Sequence, residues 1–334
     1  MKNPAALTYD HIIATGGIGT GMFFQLNGNN TLGREESRLA KLLPYKDYCK
    51  QHIILHYISV LLRGQHNFQT VAIGRVGNDD AGRNLVQQMR SAGINADFVK
   101  TDNEHATMFS VCYLYPDHSG GNITTDDSAS SHVAPSDIDD FFSSFNRRGK
   151  EVVLAAPEVP VPTRIRLLEY GRKRRSLNVA SIASAEVQEF TSLNGFQLTD
   201  MLFINLDEAR MIAAEEESMS TEKIVDAAVQ NIISHQQKIK IFITCGAEGV
   251  YAYDDGLLEF SKTLPANVIS TAGAGDAFLA GTIVGICFGM PIMKGNNRNT
   301  KTATDIGLAL AAASVTSPDT INSTISADFL RNLL

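Results

Sequence analysis

Short apolar, β-branched runs alternate along this chain with stretches whose apolar residues recur every three to four positions. The runs HIIATG (11–16), TVAIG (70–74), EVVLAA (151–156), MLFIN (201–205), KIFIT (240–244) and GVYAY (249–253) read as strands. Between them, AGRNLVQQMRSAG (81–93), PTRIRLLEYGRKRR (162–175) and TEKIVDAAVQNIISHQQ (221–237) read as helices. Alternation of this kind predicts an α/β fold with a largely parallel sheet covered by helices. Residues 22–39 and 107–132 break the pattern by mixing strand-like residues with Gly, Asn and Ser turns. They fit a small sheet projecting from the main body, either as a lid or as surface decoration.

One apolar segment requires a membrane check. Ala277 to Met293 is 17 residues without a charge, and Gly281, Gly285 and Gly289 repeat the GxxxG spacing. The run is short for a bilayer span, follows Asp276 directly and contains Pro291. It reads as a buried helix whose glycines allow close packing, so no membrane partner is expected.

Composition narrows the classes. The 334 residues suffice for one large α/β domain or two smaller ones. With 44% hydrophobic and 19% charged residues, the chain is ordinary for a globular protein. A net charge of −7 argues against nucleic acid as the main partner. The basic knot GRKRRS (171–176) reads as a solvated helix end, where cations suit the dipole. The four cysteines fit no zinc or disulfide spacing, and the N-terminal stretch lacks the apolar core of a secretory signal, so a cytoplasmic location is expected.

Several small-residue turns follow the strands, at the sheet end where α/β folds bind ligands. GGIGTG (16–21) follows the first strand but places Phe24 where a dinucleotide fingerprint needs its third glycine. His52 and His56 have zinc-ligand spacing but no third ligand, and read as a structural pair. Asn205 and Glu208 form a capping box or, alternatively, offer oxygens to a hydrated magnesium ion. Most telling is STAGAGDAFLAG (270–281), a tight turn entering a helix that begins near Asp276. Small residues and a helix N-terminus make an anion site. A carboxylate beside it can take a hydroxyl proton while the amides stabilise a transferring phosphoryl group.

These residues resemble the ribokinase-like, or PfkB, family of sugar kinases. TAGAGDAF (271–278) is similar to that family's C-terminal signature, NLDEA (205–209) to its NxxE, and ITCGAEGVYAY (243–253) to its nucleotide-side strand and turn. AIGRVGNDDAGRNLVQQMRSAGI (72–94) and ALAAASVTSPDT (309–320) fall in the family's order. The resemblance implies a single ribokinase-like domain over 1–334, three-layered, with a small β lid formed by about 20–42 and 105–132. It implies ATP and magnesium as cofactors and a sugar or related alcohol as acceptor, with a homodimer forming through the lid. Asp276 would be the general base, and the amides of Ala272, Gly273, Ala274 and Gly275 the anion hole. Asn205 and Glu208 would organise magnesium through water, and Thr244, Gly246 and Gly249 would lie along the nucleotide.

The acceptor side departs from the family. After the first strand stand Gly17, Gly19 and Gly21, where relatives carry polar residues that bind the sugar. The stretch YCKQHIILHYISVLLRG lacks the family's Gly-Gly and Asn, leaving Lys50, Gln51 or His52 to face the site, with Glu158 as a surviving sugar contact. Ser270 replaces the signature's Asp, so monovalent-cation dependence is left open. Lost hydroxyl-binding groups should change the substrate. The expectation is a kinase for an unusual sugar or sugar-like alcohol. The alternatives are a nucleoside kinase, with Phe23 and Phe24 stacking a base, and a nucleotide-binding protein that has lost sugar turnover.

Overall fold

A computed structural model describes residues 7–65, 68–117, 120–145, 149–214, 219–295, 297 and 299–334. The N-terminal residues 1–6, part of the stretch read as lacking a secretory signal, and residues 118 and 119 of the expected lid lie outside the described residues.

Among the described residues thirteen strands form two sheets. They are β1 (His11–Thr15), β2 (Gly19–Leu26), β3 (Ala40–Tyr48), β4 (Gln69–Gly77), β5 (Ile94–Asp102), β6 (Met108–Leu114), β7 (Gly120–Thr124), β8 (Glu151–Ala155), β9 (Leu177–Ser181), β10 (Met201–Asn205), β11 (Lys240–Thr244), β12 (Gly249–Asp254) and β13 (Leu257–Lys262). The main sheet runs β13-β12-β11-β10-β9-β8-β1-β4-β5. It is parallel except at the β11–β12 and β12–β13 pairings. All six strands read from the chain are present. β5, β9 and β13 are additional, and their partly exposed residues break the apolar runs on which a sequence reading depends.

The central strands are buried on both faces, as parallel strands under two helical layers must be. Alternate residues feed opposite cores: Ile12, Ala14, Val152 and Leu154 join one, and Ile13, Val153 and Ala155 the other.

The apolar segment forms the helix Ala274–Cys287, two residues earlier at its start than expected and stopping well before Met293. It lies against helix Ala303–Ser314. A β-carbon at Gly285 would come within 2.6 Å of the Ala303 Cα, and one at Gly281 within 2.8 Å of the Ile306 carbonyl. The GxxxG spacing therefore serves a helix contact in the core. Among the described residues no helix is long and apolar enough to cross a membrane. The basic knot closes helix Val161–Arg174, where Arg172 pairs with Asp200 at 2.6 Å and Arg174 with Glu151 at 2.5 Å.

The second sheet runs β3-β2-β6-β7. It takes β3 on to Tyr48, beyond the expected lid limit of 42. β3 is an edge strand, where Pro44 costs no ladder bond to a second neighbour. Its end is anchored to the C-terminal segment: the Lys46 amide donates to Asp319 Oδ1 (2.9 Å), the Tyr48 amide to Thr320 Oγ1 (3.0 Å) and the Thr320 amide to the Lys46 carbonyl (3.1 Å).

Gly285→Ala should destabilise the fold by about 1–3 kcal/mol, because the added methyl cannot be accommodated without separating two helices. Urea unfolding measures this, and an unchanged midpoint would contradict the packing account.

Candidate functional site

A cleft of about 460 Å³ opens between the two sheets, at the N-terminus of helix Ala274–Cys287. Gly273 caps this helix with φ 80°, a left-handed conformation that glycine adopts without strain. A β-carbon there would also meet the Thr320 carbonyl at 2.7 Å. Asp276 lies in the first helical turn and lines the cleft. Its carboxyl is part-exposed to the opening, yet desolvation by the surrounding protein raises its pKa above the ordinary carboxylate range, an effect that the Lys50 charge offsets in part.

Of the four amides expected to meet an anion, two have partners within the turn. The Ala272 amide donates to Ser270 Oγ (3.3 Å) and the Ala274 amide to the Thr271 carbonyl (3.2 Å). Both are spent on shaping the turn. The amides of Gly273, Gly275 and Asp276 make no such bond among the described residues, as the first turn of a helix dictates. A β-carbon at Gly275 would meet nothing within 4 Å, so a ligand has open access to that amide.

Each glycine of the expected acceptor side after β1 clears room for a side chain from another element. A β-carbon at Gly17 would strike Glu158 Oε2 at 2.5 Å, one at Gly19 Cys49 Sγ at 2.7 Å, and one at Gly21 Asp47 Oδ2 at 2.5 Å. None of the three lines the cleft, whereas Asp47, Cys49 and Glu158 all do. Glu158 has φ 75°, an uncommon conformation for a residue with a side chain, which turns its carboxylate inward. Its Oε2 accepts the Lys50 amide at 3.1 Å. Desolvation, helped by the nearby Asp276 charge, pushes its pKa up to about 7 against the opposing pull of Lys50.

Asp47, Lys50, Ser110 and Asn122 supply the polar groups missing from the loop after β1. The sequence reading left Lys50 as one of three alternatives and missed the others. Asp47, Gly21 and Ser110 are in register across β3, β2 and β6, as are Phe23, Cys112 and Asn122 across β2, β6 and β7, so these rows turn toward the cleft. Asp47 Oδ2 accepts a 3.4 Å bond from Cys112, and burial raises its carboxyl pKa. The signal for Asp47 was an acid just ahead of a helix start, but pairing it with Gly21 required the strand register. Phe23 is buried and packs near Tyr45, with ring centroids 6.0 Å apart.

Lys50 is the first residue of helix Lys50–Leu61. Gln51 and His52 turn away from the cleft into the core. Gln51 Nε2 donates to the carbonyls of Ala14 (2.8 Å) and Ile73 (3.2 Å), tying β1 to β4. Burial lowers His52 to about 3 and His56 to about 4, so both rings are neutral core groups. Among the described residues no three His, Cys, Asp or Glu side chains converge as a metal cage.

Asn205 and Thr244 end β10 and β11 in register. The capping box is present: Asn205 Oδ1 accepts the Glu208 amide (2.9 Å) and Glu208 Oε2 accepts the Asn205 amide (2.5 Å). The cap engages one carboxylate oxygen of Glu208. Desolvation raises the Glu208 pKa while the Asn205 amide and the Lys50 charge lower it. Gly246 turns with φ 55° in open space. At Gly249 a β-carbon would meet the Ser261 carbonyl at 2.2 Å, so that glycine serves the β12–β13 pairing. Asn205, Glu208, Thr244, Gly246 and Gly249 lie outside the cleft lining.

The sequence pattern of the pfkB family carbohydrate kinases matches residues 55–327. Over 212 residues the chain is 26% identical to a bifunctional ribokinase/ribose-5-phosphate isomerase A of Fructilactobacillus sanfranciscensis, covering 63% of this chain and 37% of that protein. It is also 26% identical over 243 residues to a 5-dehydro-2-deoxygluconokinase of Geobacillus thermodenitrificans, covering 68% of this chain and 69% of that protein. The ribokinase of Giardia lamblia superposes with a TM-score of 0.78 at 17% identity, over 97% of this chain and 99% of that one. The ribokinase of Cryptococcus neoformans var. grubii serotype A in complex with ADP superposes with a TM-score of 0.76 at 17% identity, over 97% and 100%. The fold is thus that of ribokinase, and the chain belongs to the pfkB family of carbohydrate kinases.

Proposed function

We propose that this protein transfers the terminal phosphate of ATP to a hydroxyl of a sugar or sugar-like alcohol. The observation that carries this reading is the placement of Asp276 one turn into a helix whose first amides are free, at the floor of a cleft lined by polar side chains. The names of the ribokinase and 5-dehydro-2-deoxygluconokinase relatives support it.

In this reading the acceptor hydroxyl lies against Asp276, whose carboxylate takes the proton as the oxygen attacks the terminal phosphorus. The bond to the leaving diphosphate oxygen breaks as the new one forms. The amides of Gly273, Gly275 and Asp276 meet the negative charge on the transferring group. Desolvation makes Asp276 a stronger base than a free carboxylate, while the Lys50 charge keeps it ionised. Glu208 and Asn205 would hold hydrated magnesium, which supplies charge neutralisation at the phosphates. The ends of β10 and β11 and the turn at Gly246 would follow the nucleotide. The second sheet would cover the acceptor and exclude water. All of this falls within one domain, and the outer row of that sheet, Met22, Val111 and Ile123, is the surface for pairing two copies.

Asp276→Asn should lower kcat by about 10²- to 10⁴-fold while ATP binding, measured by calorimetry, is kept. Full activity of this variant toward any acceptor would end the proposal, as would the absence of ATP-dependent phosphate gain, read by mass spectrometry, across a panel of sugars and nucleosides.

Glu158 provides a pH prediction. Its folded pKa stands above that of an unfolded glutamate, so the native state binds more protons between the two values. Stability from this group is full in acid and is lost as pH rises through about 7. Glu158→Gln should flatten the fall of melting temperature between about pH 5 and 8; an unchanged slope would show that the carboxyl is not perturbed.

A further inference from the structure

We propose that the acceptor carries a carboxylate, held by the Lys50 ammonium beside the reacting hydroxyl. This rests on the kinase reading above and specifies its substrate class as a hydroxylated acid.

Lys50 projects into the cleft from the start of its helix, with its own amide fixed on Glu158. The ammonium makes no ion pair or hydrogen bond among the described residues. The other ionised groups of the lining, Asp47, Glu158 and Asp276, are all acidic. A neutral sugar would offer the ammonium only hydroxyl oxygens, and no side chain of the described residues accepts a hydrogen bond from it. An acceptor carboxylate supplies the missing partner. Ser110, Asn122 and the two raised carboxyls, Asp47 and Glu158, remain for hydroxyls.

The transferring phosphate is the competing occupant. It already has three free amides at the helix start, while the Lys50 amide is fixed on Glu158, and both residues line the cleft that Glu208 does not.

The test uses paired probes, D-gluconate against D-glucose and D-glycerate against glycerol, with ATP and magnesium. The wild-type protein should prefer the acid in at least one pair by about 10-fold or more in kcat/KM, the worth of a charge-assisted hydrogen bond. Lys50→Met should abolish that preference through the KM of the acid, and Lys50→Arg should retain most of it. Circular dichroism and melting curves establish that the variants fold. Preference for the neutral partner in both pairs would overturn the proposal. So would an acid preference that survives undiminished in Lys50→Met; a kcat loss common to both acceptors reports the effect of Lys50 on Asp276, and the ratio of the two reports the carboxylate site. If no probe is phosphorylated, the kinase reading is what fails. Calorimetric titration of D-gluconate into the ADP-loaded protein then decides the carboxylate site by itself: binding lost in Lys50→Met supports it, and no binding by the wild type overturns it.

Discussion

A carboxylate kept out of water at the start of a buried helix is the constraint on which the rest of this structure depends. Asp276 cannot be both desolvated and ionised unless something nearby compensates, and the protein supplies two things. One is the positive end of the helix, left open by three amides. The other is Lys50, delivered by a separate helix that packs against the first. Holding both within one cleft requires the helix of Lys50 to pack on the helix of Asp276, while Gly281 and Gly285 admit helix Ala303–Ser314 on another side and Gly273 admits Thr320. The requirements of the core and of the chemistry thus meet in the same dozen residues.

Much of this was legible along the chain. The six strands of the main sheet were continuous apolar runs, because parallel strands bury both faces and leave the signal uninterrupted. The turn before Asp276 was legible for a different reason: five small residues ahead of an acid and an apolar run have few uses. The acceptor side was opaque because its groups are assembled across register and not along sequence. Asp47 reaches the cleft only because β3 pairs with β2 at Gly21, and Glu158 only because a left-handed residue turns inward over Gly17. Read in order, those glycines looked like the loss of a sugar clamp. In three dimensions they are the spaces into which other elements insert acids.

The same comparison separates two kinds of glycine signal. At Gly285 and Gly249 the missing side chain admits a neighbouring backbone, which is a matter of packing. At Gly17 and Gly21 it admits a carboxylate that lines the cleft. Sequence alone does not distinguish these, since both appear as glycines near apolar runs. What separates them is the chemistry of the atom that an added carbon would strike: a backbone atom in the first pair, a carboxylate oxygen in the second.

The anchoring of β3 has a consequence for how the cleft is walled. This edge is fastened to the segment around Asp319 and Thr320 by three bonds, whereas β7 at the opposite edge pairs, among the described residues, with β6 alone. The cleft thus has one wall tied into the main body near Asp47 and Tyr48, and another, from Gly120 to Asn122, held through its own sheet. Firm and loose fastening belong to opposite edges of the same four strands.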